Sequence, residues 1–151
     1  MQIRRFRESD EEEKRELHLK TIKQVNSEDY SEKQIDAWTT FEEDSSLSEE
    51  KILRWVAEEN GEIVGFADYV PEKSKITGVY VHPAHLRKGV GSKLLKKILE
   101  DAKKRGLSEL RCESSVTARQ FYQSHGFKVT KETVHETNGV ELDAFEMKKS
   151  L

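Results

Sequence analysis

A strand that stops at a proline, a glycine-rich turn and a long amphipathic helix follow one another over residues 76–106. No other part of the chain constrains the fold as tightly. Ile76 to His82 is rich in β-branched and aromatic residues and ends at Pro83, which has no N–H to offer a sheet ladder. Beyond the turn, Leu94, Leu95, Ile98, Leu99 and Ala102 recur at helical spacing. Lys103, Lys104 and Arg105 then place cations at the negative end of the helix dipole, and Gly106 ends it. The succession predicts a mixed α/β domain.

The flanking segments agree. Ile3 to Arg7 alternates apolar and charged residues as a strand does, and Ser9 with Glu12 makes a capping-box pattern opening a helix through Leu17, Ile22 and Val25. The run Glu11–Glu13 reads as the solvated first turn of that helix. Ser31 and Gln34 repeat the capping pattern before Ile35 and Trp38, and Ser48 precedes a stretch with Ile52 and Leu53 that reads as a third helical piece. Arg54 to Glu59 and Ile63 to Val70 form a hairpin around Asn60-Gly61, a pair at ease at positive φ. Leu107 to Cys112 reads as a strand and Thr117 to His125 as a helix closed by Gly126. Phe127 to Val134 and Val140 to Met147 make a last hairpin around Asn138-Gly139.

Composition narrows the function classes. At 151 residues without a linker-like tract, one domain is expected. Only 34% of residues are hydrophobic and 36% are charged, but both signs are present and the apolar residues are periodic, which points to a folded domain with a charged surface. A net charge of −3 without a basic stripe argues against a nucleic-acid partner. Cys112, the single cysteine, sits inside a strand pattern and reads as a buried thiol, which suits a reducing, cytoplasmic compartment. No apolar run reaches membrane-spanning length, and the N-terminus lacks a signal-peptide core. His82 and His85 flank a proline with no further Cys or His nearby, so they read as a structural loop and no metal site is expected.

The chemistry is concentrated in Leu86-Arg87-Lys88-Gly89-Val90-Gly91-Ser92. The first N–H groups of a helix have no internal partners and lie at its positive end, so an anion there gains several donors at once, and glycines permit close approach. Arg87 and Lys88 add charge. A Gly-x-Gly alone also suits a tight strand-to-helix turn, and the segment matches neither the Walker pattern nor the dinucleotide pattern, having Leu94 where the latter's third glycine would stand.

The whole run Val79-Tyr80-Val81-His82-Pro83-Ala84-His85-Leu86-Arg87-Lys88-Gly89-Val90-Gly91-Ser92-Lys93-Leu94-Leu95 resembles the acetyl-CoA-binding signature of the GNAT superfamily of N-acetyltransferases. A second block, Ser115-Val116-Thr117-Ala118-Arg119-Gln120-Phe121-Tyr122-Gln123-Ser124-His125-Gly126-Phe127, resembles the family's later motif, and Glu62-Ile63-Val64-Gly65-Phe66-Ala67 fits a family strand. The resemblance covers Arg54 to Phe127 well and the N-terminal helices more loosely. It implies one α/β domain built on a mixed, mostly antiparallel sheet of about seven strands flanked by helices. Leu86 departs from the Gln or Arg that usually opens the family's loop, removing a side-chain contact but not the backbone donors. Ser115 stands where many members have Asn, so its hydroxyl either replaces the amide or the contact is lost.

The resemblance also implies a reaction: acetyl transfer from acetyl-CoA to a primary amine of a small molecule or protein, by direct attack in a ternary complex. It assigns the cosubstrate to Val79, Tyr80 and Val81 along the strand, to Arg87, Lys88, Gly89, Val90, Gly91 and Ser92 at the turn, and to Ser115, Ala118 and Phe121 in the second block. An N–H near Val79 would polarise the thioester carbonyl. Tyr122 matches the family's general acid, although it also fits the apolar face of a helix beside Phe121. Where some members carry a strand Glu as base, this chain has Lys75, leaving Glu113 and Asp68 as candidates. Tyr30, Ile35, Trp38 and Phe41 are placed to line the acceptor pocket, and the acidic patches Glu42-Glu43-Asp44 and Glu49-Glu50 would suit a cationic amine as well as plain solvent. A monomer or homodimer is expected. Two rival readings are a catalytically silent acetyl-CoA-binding module and a nucleotide-binding regulatory domain.

Overall fold

The computed structural model describes residues 1–40 and 51–151. Phe41, the patches Glu42-Glu43-Asp44 and Glu49-Glu50, and Ser48 lie outside the described residues. One seven-stranded sheet carries the fold, in the order β1 (Gln2–Arg5), β2 (Leu53–Glu59), β3 (Glu62–Val70), β4 (Lys75–Val81), β5 (Glu109–Ser115), β7 (Val140–Ser150), β6 (Lys128–Thr137). Every neighbouring pair is antiparallel except β4 and β5, which run parallel. Both Asn-Gly pairs turn their hairpins at positive φ, 52° and 80° at Asn60-Gly61 and 48° and 76° at Asn138-Gly139.

Helices cover both faces. On one face α3 (Val90–Lys104) and α4 (Arg119–Ser124) pack over Trp55, Ala67, Tyr69, Ile76 and Met147. Leu94, Leu95, Ile98 and Ala102 are fully buried there, each large side chain contributing about 1.5–3 kcal/mol. On the other face α1 (Glu11–Gln24) and α2 (Glu32–Thr39) set Leu17, Ile22 and Ile35 against Val56, Phe66 and Leu142. No helix among the described residues is long and apolar enough to cross a membrane.

Several local expectations shift. The Ser9–Glu12 box does not form: the Asp10 carboxylate instead accepts the Arg7 N–H at 2.7 Å and the Arg4 guanidinium at 2.8 and 2.9 Å, and Ser9 falls in a 3-10 turn ahead of α1. The Ser31–Gln34 box does form, with both reciprocal bonds, at 2.8 and 3.1 Å. Leu53, read as helical, begins β2. Leu107 closes α3 by donating to Ala102, so the next strand starts only at Glu109 and continues to Ser115. The helix expected from Thr117 begins at Arg119, because the Ala118 N–H is held by Ser115 Oγ at 3.1 Å.

β4 is the strand that positions the site. Asp68 pairs with Gly78 but Tyr69 pairs with Ile76, so Thr77 is an extra residue, a β-bulge. Toward β5 the pairing is limited to Lys75↔Arg111 and Ile76↔Cys112. From Thr77 onward the two parallel strands part, and the sheet has an opening in its middle.

Candidate active site

A cavity of about 350 Å³ occupies that opening. Gly78, Val79, Tyr80 and Val81 form one wall and Glu113, Ser114 and Ser115 the other. Thr21, Val25, Asn26 and Trp38 approach from the α1–α2 face, and Gly89, Val90, Gly91, Ser92, Phe121 and Tyr122 from the α3–α4 face. The cavity therefore passes through the sheet rather than lying on one side of it.

Backbone direction on β4 follows from its pairing. The His82 N–H donates to Val64 O at 2.8 Å, and by alternation Tyr80 also faces β3, which turns the backbone groups of Val79 and Val81 toward the opening. Thr21 confirms the direction, its hydroxyl reaching Val81 O at 3.0 Å. The bulge has one local sign in the sequence, the isolated Gly78: a Cβ there would stand 2.6 Å from the Tyr80 ring.

At the far end, Gly89 precedes α3 with φ 80°, a backbone that a side chain would strain, and no side chain caps the helix. The first N–H groups of α3 thus face the cavity end without a protein acceptor from a cap. Arg87 lines the same end, itself held at φ 61°. His125 braces this corner, its Nε2 3.0 Å from Ser92 Oγ and its Nδ1 2.8 Å from Phe121 O.

Tyr122 projects from α4 into the α3–α4 face and is 4% exposed. Burial pushes its phenol well above the usual range, with Cys112 and Tyr80 adding to the effect, so the hydroxyl keeps its proton at any working pH. Glu113 projects from the opposite face. Its strand neighbour Cys112 packs in the α3–α4 core, while Glu113 pairs with Glu146, on the same face of β7 as Leu142. Among the described residues that line the cavity, Glu113 is the single carboxylate and Arg87 the single guanidinium.

Of the residues expected from sequence, Asp68 and Lys88 do not line the cavity. Asp68 is 9% exposed and bound in a fork by Arg54, at 2.5 Å to Nε and 2.8 Å to Nη2. Lys88 is exposed on the outer side of the turn. The Tyr80 ring turns to the α1–α2 face, stacked 5.3 Å from Phe66. Trp38 lines the cavity, but Tyr30 and Ile35 are core. The Tyr30 hydroxyl donates to Asp143 O at 2.7 Å and accepts from Val116 N at 2.9 Å, fixing the loop after β5. His82 Nδ1 accepts the Ala84 N–H at 3.0 Å, and the His85 ring, at the edge of the cavity, lies 3.4 Å from Glu59. Cys112 is buried and its thiol is pushed up to about 12, which leaves it unreactive. Thr117, inside the second block, also lines the cavity, and Thr21, Asn26 and Thr77 join the lining without a motif that announces them, since each reaches the cavity through tertiary packing.

Residues 26–151 match the family model of the acetyltransferase (GNAT) domain. The chain belongs to the GNAT superfamily of acetyltransferases. This GNAT chain is 30% identical to the uncharacterized N-acetyltransferase YafP of Escherichia coli K12, over 98% of its own length and 95% of the relative's. It superposes on the crystal structure of a GCN5-related N-acetyltransferase from Rhodopseudomonas palustris with a TM-score of 0.91 at 29% identity, covering 99% of this chain and 95% of the other. On the PaiA N-acetyltransferase of Thermoplasma acidophilum, crystallised in complex with coenzyme A, the TM-score is 0.78 at 26% identity, with 99% and 98% covered. GNAT enzymes use acetyl-CoA as cosubstrate, and the GNAT cavity suits one. An uncapped helix start beside Arg87 offers donors for a pyrophosphate, and the unpaired edge of β4 offers them for an amide-containing arm.

Proposed function

We propose that this GNAT enzyme transfers the acetyl group of acetyl-CoA to a primary amine of a small molecule or protein by direct attack in a ternary complex. The observation that carries this reading is the opening between β4 and β5, which gives the cavity Tyr122 on one face of the sheet and Glu113 on the other. In this reading Gly89, Val90, Gly91 and Ser92 hold the pyrophosphate, with Arg87 adding charge. The arm lies along Val79 to Val81, with Ser115, Ala118 and Phe121 on its other side.

Glu113 accepts a proton from the acceptor nitrogen, whose lone pair then forms the new C–N bond at the thioester carbon. The carbonyl electrons move onto oxygen, where the Val79 N–H meets the developing charge, a donor worth about 3–4 kcal/mol in comparable oxyanion sites. Collapse breaks the C–S bond and the leaving thiolate takes the Tyr122 proton, while the acceptor nitrogen releases its second proton as the amide forms, and that proton restores the Tyr122 hydroxyl. Asp68 is tied to Arg54 outside the cavity, which favours Glu113 of the two acids.

The test is free-thiol release from acetyl-CoA with spermidine, L-lysine, tyramine and a peptide with a free amino terminus, for wild type and Tyr122→Phe, with coenzyme A binding measured by calorimetry. Amine-dependent release that falls about 10²-fold or more in the variant, with coenzyme A still bound, is expected. Bound coenzyme A without release from any amine would favour the silent module, and no binding at all would overturn the reading.

A further inference from the structure

The Glu113 carboxylate does not stand alone. His135, on the edge strand β6, reaches across β7 and brings its Nδ1 to 2.8 Å from Glu113 Oε1. The imidazole side chain is 57% exposed while Glu113 is 30% exposed, so the pair joins the cavity wall to solvent at the sheet's far edge. The two residues are 22 positions apart, on strands with no direct pairing, so nothing in the strand register demands the contact.

Electrostatics around Glu113 make the contact consequential. Directly across on β7 stands Glu146, a like charge, which destabilises an extended carboxylate at Glu113. Glu146 has its own cross-strand cation in Lys131 on β6, and one pair further along, Arg111 faces Lys148 and Lys75. Arg111 is committed elsewhere, donating to Lys73 O at 2.9 Å. Among the described residues on this face, His135 is the one whose ring nitrogen stands within ion-pair distance of the Glu113 carboxylate.

Resting on the assignment of Glu113 as the proton acceptor, we infer that His135 is a positioning residue. Its Nδ1–H donates to Oε1 of Glu113, which fixes the tautomer of the ring and turns the second carboxylate oxygen toward the acceptor nitrogen in the cavity. A donor at Oε1 holds the carboxylate in one rotamer, which is what a proton acceptor in a partly enclosed wall needs. The final hairpin β6–β7 therefore contributes to the reaction centre, not just to the sheet.

Four variants separate this inference from the reading it rests on, each assayed by thiol release with the fastest amine among spermidine, L-lysine, tyramine and the peptide. Glu113→Gln is expected to lose about 10²-fold in turnover. His135→Ala is expected to lose roughly 10-fold in kcat with the KM for acetyl-CoA unchanged, since a misplaced base acts on the acceptor alone. His135→Asn restores most of the rate, because its amide nitrogen can stand where Nδ1 stood, and His135→Phe does not. If Glu113→Gln is inactive but His135→Ala turns over like wild type, the positioning role is wrong and the base assignment stands. If Glu113→Gln is itself fully active, both fall. A readout that needs no acceptor is the 15N spectrum of the imidazole at alkaline pH. The Nδ1–H tautomer should dominate in the wild type and give way to Nε2–H in Glu113→Leu, which has no acceptor there, and an unchanged spectrum would overturn the pairing.

Discussion

Thr21 donates its hydroxyl to the carbonyl of Val81 at 3.0 Å, tying α1 to the end of β4 where the sheet opens. Thr21 is 5% exposed, so the bond lies out of bulk water. Thr21→Val keeps the shape but leaves the Val81 carbonyl without this donor, and should cost about 1–2 kcal/mol. Urea unfolding should show a lower midpoint at unchanged slope, with Thr21→Ser close to wild type.

The Arg54–Asp68 fork is a second buried tie, and Arg54 also lies over the Phe6 and Phe66 rings at 4.9 and 5.9 Å. Arg54→Met strands the Asp68 carboxylate in a low-dielectric site. A loss of about 3–5 kcal/mol is expected by denaturant unfolding. The double variant Arg54→Met/Asp68→Leu should recover most of it, because an apolar pair of similar volume removes the uncompensated charge.

Acid should weaken the fold through His18. Burial, with Lys14 and Arg54 adding, pushes this imidazole down to about 4 from its ordinary 6.5. Between those values the unfolded chain binds a proton that the folded one does not, so the stability His18 contributes is complete above pH 6.5 and is lost as pH falls toward 4. The linked change reaches roughly 3 kcal/mol. Unfolding free energy measured across that window should fall with pH in the wild type and fall less steeply in His18→Leu.

Cys112 offers a probe of opening. With its thiol buried and pushed up to about 12, it should resist a disulfide reagent such as dithionitrobenzoate at pH 8 in the folded protein. Labelling should be complete in denaturant, and its native rate should track unfolding. Prompt labelling of the folded chain would show that the β5 core face is open.

How much of this was readable beforehand depends on range. The two Asn-Gly hairpins, the Ser31–Gln34 box and the amphipathic α3 were legible because each is set by neighbours within a few residues, and all formed as expected. Ser9–Glu12 matched the same capping pattern and failed. The Arg4 guanidinium, brought in from β1, holds the Asp10 carboxylate and re-forms the entry to α1 as a 3-10 turn. Asp68 and Glu113 were indistinguishable as acids on strands. Arg54 claims one of them, and the parting of β4 from β5 exposes the other to the cavity.

His135 had no sequence signal. A histidine in an alternating edge strand reads as surface, and its contact with Glu113 exists because the twisted sheet carries it across β7. By itself, then, the sequence determined most of the strand and helix succession, though not Leu53, together with the family and the glycine turn at Gly89, since each rests on local backbone preference or a contiguous motif. Tertiary structure alone decided where the sheet opens, which carboxylate faces the opening and what holds that carboxylate. Those relations join residues on separate strands, and they come into being when β4 and β5 are laid parallel for two pairs and then diverge.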